Sequence, residues 1–421
     1  VATIRRRYRT STLAVATTAH LIVATETIRR QNGDQVHNGG GAGLTLDAMC
    51  AAILLAHDAE EAWELWGGGG GVSVRHRIAI VGCGAMAARH EEAVLAMPER
   101  VQVVATVDPE LPKARRLAEN LGGARYGASV EEFIGDIDAA IVVTPHDSHH
   151  DLGMLLLSAG KHVLMEKPLA LSEGECLALI HQARRSGRVL MTAHPMRFHP
   201  LVQQAKRLMD DGALGTVFQM SIWTEQYHLR ADAPWMSRVA TLGGGQLFSH
   251  GCHYIDLLLW FLGRPVCGSH HGTRRTTEWL EGEGTSNVVL EFESGALGYH
   301  MGTWGARGTK LGYNIQVHGS KGMAEVDYLD GEVRIYTEER VETVLHAERR
   351  GKYIENELAH FLDCIESGAE PLTSAGSALQ GLRVIWRLYA ASAQGTVADL
   401  AGLGLGDDWD HPGMAVLPSP A

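Results

Sequence analysis

Positive charge is in short supply. The chain carries 37 Lys and Arg against 49 Asp and Glu, a formal charge of −12 at pH 7. That balance is poorly suited to holding nucleic acid by displacing phosphate counterions, or to adsorbing on an anionic leaflet. Long apolar runs are also missing. None approaches the roughly 18 residues that would suggest a membrane-spanning helix. The six cysteines, Cys50, Cys83, Cys176, Cys252, Cys267 and Cys364, include no C-x-x-C and no zinc-ligand spacing. They read as reduced thiols, which sets the expectation of a cytoplasmic protein. No internal repeat is visible.

What remains is an ordinary globular composition. The 421 residues are 45% hydrophobic and 20% charged, with a mean hydropathy of −0.06. At roughly 100–200 residues per domain, two domains are expected. Residues 1–74 differ from the rest, with Arg5–Arg7, Arg29-Arg30 and the glycine runs at 39–41 and 67–71. Arg5–Arg7 followed by Ser11–Ala24 loosely resembles an export or transit signal. However, Thr17, Thr18 and His20 break its apolar part, and no small-residue cleavage site follows. The segment reads instead as a poorly ordered extension, with an amphipathic helix possible over 44–66 and a flexible linker at Gly67–Gly71.

From residue 75 to 196 the pattern alternates. Short apolar runs at 77–81, 101–107, 139–143 and 162–165 read as buried parallel strands. Helical segments between them begin near Ala87, Pro112, Ser129 and Leu152. This predicts a doubly wound α/β sheet. After 196 the texture changes to alternating strands at 217–224, 287–293, 298–304, 313–317, 324–328 and 333–336. Turn residues separate them, which predicts an antiparallel meander with one buried face. Helices over 245–262, 353–367 and 374–393 frame it. The second domain is therefore placed at 197–400, and 401–421 reads as a tail.

The G-x-G-x-x-A at Gly82, Gly84 and Ala87 lies between the first strand and its helix. There the loop Gly82, Gly84, Ala85 and Met86 can offer free backbone N–H groups to a diphosphate. Gly82 permits the turn, Gly84 leaves room for phosphate, and Ala87 lets the helix pack close to the sheet. Asp108 ends the second strand, 26 residues after Gly82. A carboxylate there accepts hydrogen bonds from ribose hydroxyls and repels a 2′-phosphate, so NAD is favoured over NADP.

Two segments carry the candidate chemistry. Thr144-Pro145 and His149 follow the third main strand, and Glu166-Lys167-Pro168 ends the fourth. Ligands of such sheets bind at the carboxyl ends of the strands, which sets Lys167 apart from an ordinary surface lysine. In the helix starting near Gly243, His253, Asp256, Leu257 and Trp260 share one face. His253 titrates in the range that suits a base for an alcohol proton. His250 and His253 are three apart, but no third ligand stands at metal spacing, so no metal is expected.

Gly82–His90, Thr144-Pro145 with His149, Gly160–Val163, Glu166–Pro168 and Gly243–Asp256 occur in the order that marks the Gfo/Idh/MocA oxidoreductases, and residues 76–400 resemble that family. The resemblance implies a Rossmann domain followed by an α/β domain with a large open, mostly antiparallel sheet, whose outer face mediates homodimers or homotetramers. It implies NAD-dependent hydride transfer at a ring carbinol carbon of a sugar, sugar derivative or inositol. By the same resemblance Lys167 and His253 form the catalytic pair, with Thr144, Pro145, His149, Glu166 and Lys167 near the cofactor. Arg197, Trp235, Ser249, His250 and Asp256 become candidate substrate contacts. Trp223, Tyr227 and His228 are aromatic neighbours with either a sugar-stacking or a core role. Many members have an Asp where Ser249 stands, so the proton-transfer detail departs from the family pattern. Two other readings remain open: an NAD-dependent glycosidase acting by transient oxidation and elimination, and a non-catalytic NAD-binding regulator.

Overall fold

The computed structural model describes residues 75–229, 233–347 and 351–403. The expectations for 1–74 and for 404–421 lie outside the described residues.

The first half is a six-stranded sheet of β1 (His76–Val81), β2 (Val101–Val107), β3 (Arg125–Gly127), β4 (Ala139–Val142), β5 (His162–Glu166) and β6 (Leu190–Ala193). They run in the order β3-β2-β1-β4-β5-β6. Every pairing is parallel. Strand order reverses between β1 and β4, which opens a crevice at their carboxyl ends. The strands run almost wholly apolar because both faces are covered; Ile78, Ile80, Ile141 and Leu164 are fully buried. Helices α1 (Ala87–Leu95), α2 (Leu111–Asn120), α3 (His149–Ser158) and α4 (Glu173–Ser186) make the crossovers. The segment starting at Ser129 is a 3₁₀ helix over Val130–Asp136 rather than an α-helix.

Strands β3 and β6 and helix α4 are absent from the pattern reading. For α4 the signal was present. Ser172 and Glu175 form a capping box, the Ser172 hydroxyl accepting from the Glu175 amide and Glu175 accepting from the Ser172 amide. Gly187, at φ +62°, closes the helix.

After a 3₁₀ turn at Pro195–Phe198 and helix α5 (Pro200–Asp210), the chain builds a nine-stranded sheet. Its strands are β7 (Val217–Glu225), β8 (Pro265–Thr273), β9 (Thr285–Phe292), β10 (Leu297–Thr303), β11 (Tyr313–Gly319), β12 (Gly322–Asp327), β13 (Glu332–Tyr336), β14 (Val341–His346) and β15 (Ala398–Asp399). The simple meander expected from the sequence is corrected here. The order is β14-β13-β12-β11-β7-β10-β9-β8-β15, with β7 inserted between β10 and β11. It runs antiparallel to β11 and parallel to β10. Hydrophobic alternation reports which face a strand buries, not which neighbour it takes, so the insertion was invisible.

Helices α6 (Cys252–Leu262) and α8 (Ala375–Gln394) pack together, and α7 (Ile354–Ser367) packs on α1 of the first half. The helix expected over 245–262 is two structures in series: a π-helical turn at Leu247–Gly251 precedes α6.

A buried ion pair ties the turn after β6 to α6. Arg197, in the turn after β6, donates from Nε and Nη2 to both carboxylate oxygens of Asp256 on α6, each at 2.7 Å. Its remaining donors reach the carbonyl of Leu372 at 2.9 Å and the hydroxyl of Ser377 at 3.0 Å. Both charged residues are buried. Arg197 and Asp256 were expected to touch substrate; their hydrogen bonds are instead directed at each other and at α8, so they form an internal clamp. Removing one partner leaves a buried charge unmatched, at a cost of about 3–5 kcal/mol. Arg197→Met should therefore lower the urea midpoint clearly, and adding Asp256→Leu should recover at least half of the loss. A single variant that unfolds at the wild-type midpoint would show the pair to be dispensable.

Candidate active site

The crevice begins at the glycine loop. Gly82 has φ +95°, and a Cβ there would stand 2.5 Å from the carbonyl oxygen of Val143. Only glycine fits both demands. At Gly84 a Cβ would meet nothing within 4 Å, so this side of the loop is open. No side chain caps α1. Among the described residues nothing accepts from the amides of Gly84, Ala85 and Met86. An uncapped helix start facing open space is a cradle for a diphosphate. Asp108 braces it, accepting from the amide of Cys83 at 2.9 Å and from that of Glu110 at 2.8 Å. Carboxylate lone pairs remain for a ribose diol. These residues fit a dinucleotide.

At the carboxyl end of β5, Glu166 is buried and its Oε1 lies 3.0 Å from Nε2 of His90 on α1. Burial alone would raise the Glu166 carboxyl. The bond from His90 and the charges of His90, Lys167 and Lys352 outweigh it and bring the group down to about 2. The following Lys167-Pro168 peptide is cis. His149, at the start of α3, is buried with Nδ1 2.8 Å from the carbonyl of Pro168 and Nε2 3.1 Å from that of Thr144. It thus ties together the two strand-end turns that the sequence had singled out.

Lys167 reaches out of the parallel sheet. Its Nζ donates to the carbonyl oxygen of Ser249 at 2.9 Å. Ser249 lies in the π-helical turn, whose entry depends on Gly245. A Cβ at Gly245 would collide with Glu283. The Glu283 carboxyl in turn accepts the amide of Leu247 at 3.0 Å and the hydroxyl of Tyr389 at 2.8 Å. So Ser249 meets Lys167 through its backbone, which makes its side-chain identity secondary at this contact.

Four residues beyond Ser249 on the same winding, His253 is 2% exposed and neither ring nitrogen has a hydrogen-bond partner among the described residues. A buried imidazole left unsatisfied is uncommon outside sites that receive a ligand. Its pKa is pushed well below the usual 6.5, mainly by burial, with the charges of Lys167 and Lys352 adding to the effect. The ring of His194 stands edge-on to it, with centroids 5.3 Å apart and planes at 87°. His250 packs at 6.1 Å from His253. It approaches Gln246 at 3.3 Å and the Tyr313 hydroxyl at 3.4 Å. Both His250 and His253 are therefore neutral at pH 7. Among the described residues no group of three His, Cys, Asp or Glu side chains is arranged to hold a metal.

Trp235, in a 3₁₀ turn at Pro234–Ser237, is half-buried and meets the ring of His146 edge-on at 4.8 Å. His146 in turn contacts the carbonyl of Leu242 at 2.9 Å. That seam sits beside the Thr144-Pro145 turn. Trp223 faces Tyr299 at 5.3 Å on the nine-stranded sheet, His228 stacks on Trp304, and Tyr227 is exposed beside Arg307. The five described cysteines are free.

Three site neighbours had no sequence signal. His194 follows β6, and no spacing ties it to His253. Lys352 and Glu357 flank the start of α7, about 185 residues from Lys167 in sequence, and no spacing rule connects them to it.

Comparison with known proteins agrees with this geometry. Residues 76–194 match the model of an oxidoreductase family with an NAD-binding Rossmann fold, and residues 202–325 match the C-terminal domain of the same Gfo/Idh/MocA family. Inositol 2-dehydrogenase 2 of Saccharopolyspora erythraea is 30% identical over 225 residues, which span 52% of this chain and 64% of that protein. The scyllo-inositol 2-dehydrogenase (NAD(+)) of Bacillus subtilis is 26% identical over 320 residues, 73% of this chain and 91% of that one. The solved structure of aldose-aldose oxidoreductase from Caulobacter crescentus, complexed with glycerol, matches with a TM-score of 0.70 at 27% identity, covering 77% of this chain and 100% of that one. With both halves of the fold, the diphosphate cradle and the strand-end lysine in place, the chain belongs to the Gfo/Idh/MocA family of NAD-binding oxidoreductases.

Proposed function

We propose that the protein oxidises or reduces a ring carbinol carbon of a sugar, sugar derivative or cyclitol, with Lys167 and His253 as the catalytic pair. The observation that carries this reading is the bond from Lys167 to Ser249, which brings the ammonium from one sheet to the turn that delivers an unsatisfied imidazole from the other. The names of the relatives support the substrate class: inositol dehydrogenases, and an oxidoreductase of aldoses.

The division of labour follows from charge. NAD, when bound, supplies the hydride acceptor. Lys167 binds the reacting hydroxyl and favours its alkoxide form by placing a positive charge beside it, an effect strengthened where water is excluded. His253, neutral at pH 7, accepts the hydroxyl proton in oxidation and returns it in reduction. A charged imidazolium could not do the first of these. No carboxylate orients His253 here, since Ser249 stands where many relatives have Asp. The edge-on ring of His194 is the group that limits its rotation. Trp235 offers an aromatic face at the seam between the halves, suited to the C–H side of a ring.

Three measurements test this reading. A panel of inositols, monosaccharides and sugar phosphates with NAD, followed at 340 nm, should yield at least one substrate; glycoside cleavage without net NADH would instead point to the glycosidase chemistry. On that substrate Lys167→Ala should lower kcat by about 10²-fold or more while the NAD Kd changes less than about threefold. Equal loss of NAD binding would make Lys167 a cofactor residue only. Because burial lowers the His253 pKa, the base form persists into acid, so the acidic limb of kcat for oxidation should fall below pH 6.5 and vanish in His253→Ala. A limb above pH 6.5 would contradict a buried neutral base. Separately, Asp108→Ala should raise the NAD Kd and relax discrimination against NADP; unchanged discrimination would remove Asp108 from the ribose site.

A further inference from the structure

Three glycines in a row, Gly243-Gly244-Gly245, lead into the π-helical turn. A helix that starts there leaves its first four N–H groups without a carbonyl of its own to reach. The first amide paired inside the winding is that of Ser249, which donates to the carbonyl of Gly245 at 3.0 Å. No side chain at the start of the turn supplies a cap.

All four amides are met from outside, by two residues. The Tyr389 hydroxyl oxygen accepts from Gly245 and from Phe248, each at 3.2 Å. The backbone carbonyl of Glu283 accepts from Gln246 at 2.7 Å, and its Oε1 accepts from Leu247 at 3.0 Å. Tyr389 donates its own hydroxyl proton to the same Oε1 at 2.8 Å, which locks the two together. Glu283 stands between β8 and β9, and Tyr389 stands on α8. The glycines supply the room. A Cβ on Gly245 would collide with the Glu283 carboxyl, and one on Gly244 would stand 3.1 Å from the Tyr389 oxygen. On the other side, a Cβ on Gly282 would come within 2.7 Å of the Gly244 carbonyl oxygen. Gly243, at φ +91°, ends the helical turn Val239–Leu242 just before.

We propose that Glu283 and Tyr389 are positioning residues for hydride transfer: by capping the amides of residues 245–248 they hold the Ser249 carbonyl and His253 where Lys167 and the reacting carbon need them. The proposal rests on the Lys167–His253 reading of the site. His253 has no hydrogen bond to its ring among the described residues, so its place is set largely by the backbone that carries it. Ser249 supplies no carboxylate to orient it, and the cap gives that support through the winding instead. It also assigns a task to the glycine triplet. A reacting group displaced by about 1 Å can lose about 10²-fold in rate, so a partly loosened winding is expected to cost about tenfold.

Two measurements on the full chain test this: hydrogen exchange read by mass spectrometry on the apo protein, and kinetics on a substrate from the panel above. Tyr389→Phe keeps the ring and removes the oxygen that serves Gly245 and Phe248. Exchange over residues 245–253 should quicken about tenfold, while peptides from β1 and β4 exchange as in the wild type. In the same variant kcat should fall about tenfold, with the NADH Kd and the substrate KM changing less than about threefold. Glu283→Gln keeps an acceptor oxygen and should retain wild-type exchange and most of kcat. Glu283→Leu keeps the bulk, accepts nothing, and should behave like Tyr389→Phe. Thermal melting identifies any variant that fails to fold, and the two loss variants stand in for each other. A folded Tyr389→Phe or Glu283→Leu protein with wild-type exchange over 245–253 would overturn the proposal. So would faster exchange with unchanged kcat, or a fall in NADH affinity as large as the fall in kcat. A wild-type chain that turns over nothing in the panel would overturn the catalytic reading beneath, and the exchange arm would still decide whether the cap holds the turn.

Discussion

One hydrogen bond organises the candidate site, that from the Lys167 ammonium to the carbonyl oxygen of Ser249. It crosses from the parallel sheet to the helical turn that rests on the antiparallel one. Each end is held by its own support. Glu166 sits against His90 behind Lys167, and Glu283 with Tyr389 holds the turn that carries Ser249. A lysine on a free stem would lose several rotatable bonds of freedom to reach a substrate. Here its position is set beforehand, so that entropic cost is met before any ligand arrives.

The surroundings of that bond are nearly dry, and this governs protonation. His146, His250 and His253 are all held neutral, chiefly by burial, with the Lys167 charge contributing in each case. The carboxyl beside Lys167 is held low because it has a donor, while burial pushes Glu357, which has none among the described residues, well above the usual carboxylate range. Two buried glutamates are thus shifted in opposite directions for a reason visible in their hydrogen bonds. The Arg197–Asp256 pair ties the turn after β6 to α6, using residues whose sequence context suggested substrate binding.

Local signals were reliable where one short segment contains the whole cause. Gly82 and Gly84 between a buried strand and an uncapped helix need no distant partner, and the same holds for Asp108 at the next strand end. The capping box at Ser172 and Glu175 was equally local, though it was passed over. Signals failed where two meanings share one pattern. An arginine after β6 reads the same whether it faces a ligand or a buried carboxylate. A strand with alternating burial reads the same whether it neighbours the preceding strand or is inserted further along the sheet, as β7 is.

The amino-acid sequence by itself determined the two kinds of sheet and the glycine loop between β1 and α1, because periodicity and turn residues act over a few positions of chain. Only the tertiary structure decided that Arg197 and Asp256 turn inward and that the Ser249 backbone rather than its side chain meets Lys167. Those outcomes depend on which donors and charges meet across long stretches of chain, and burial decides their energies only after the chain has folded.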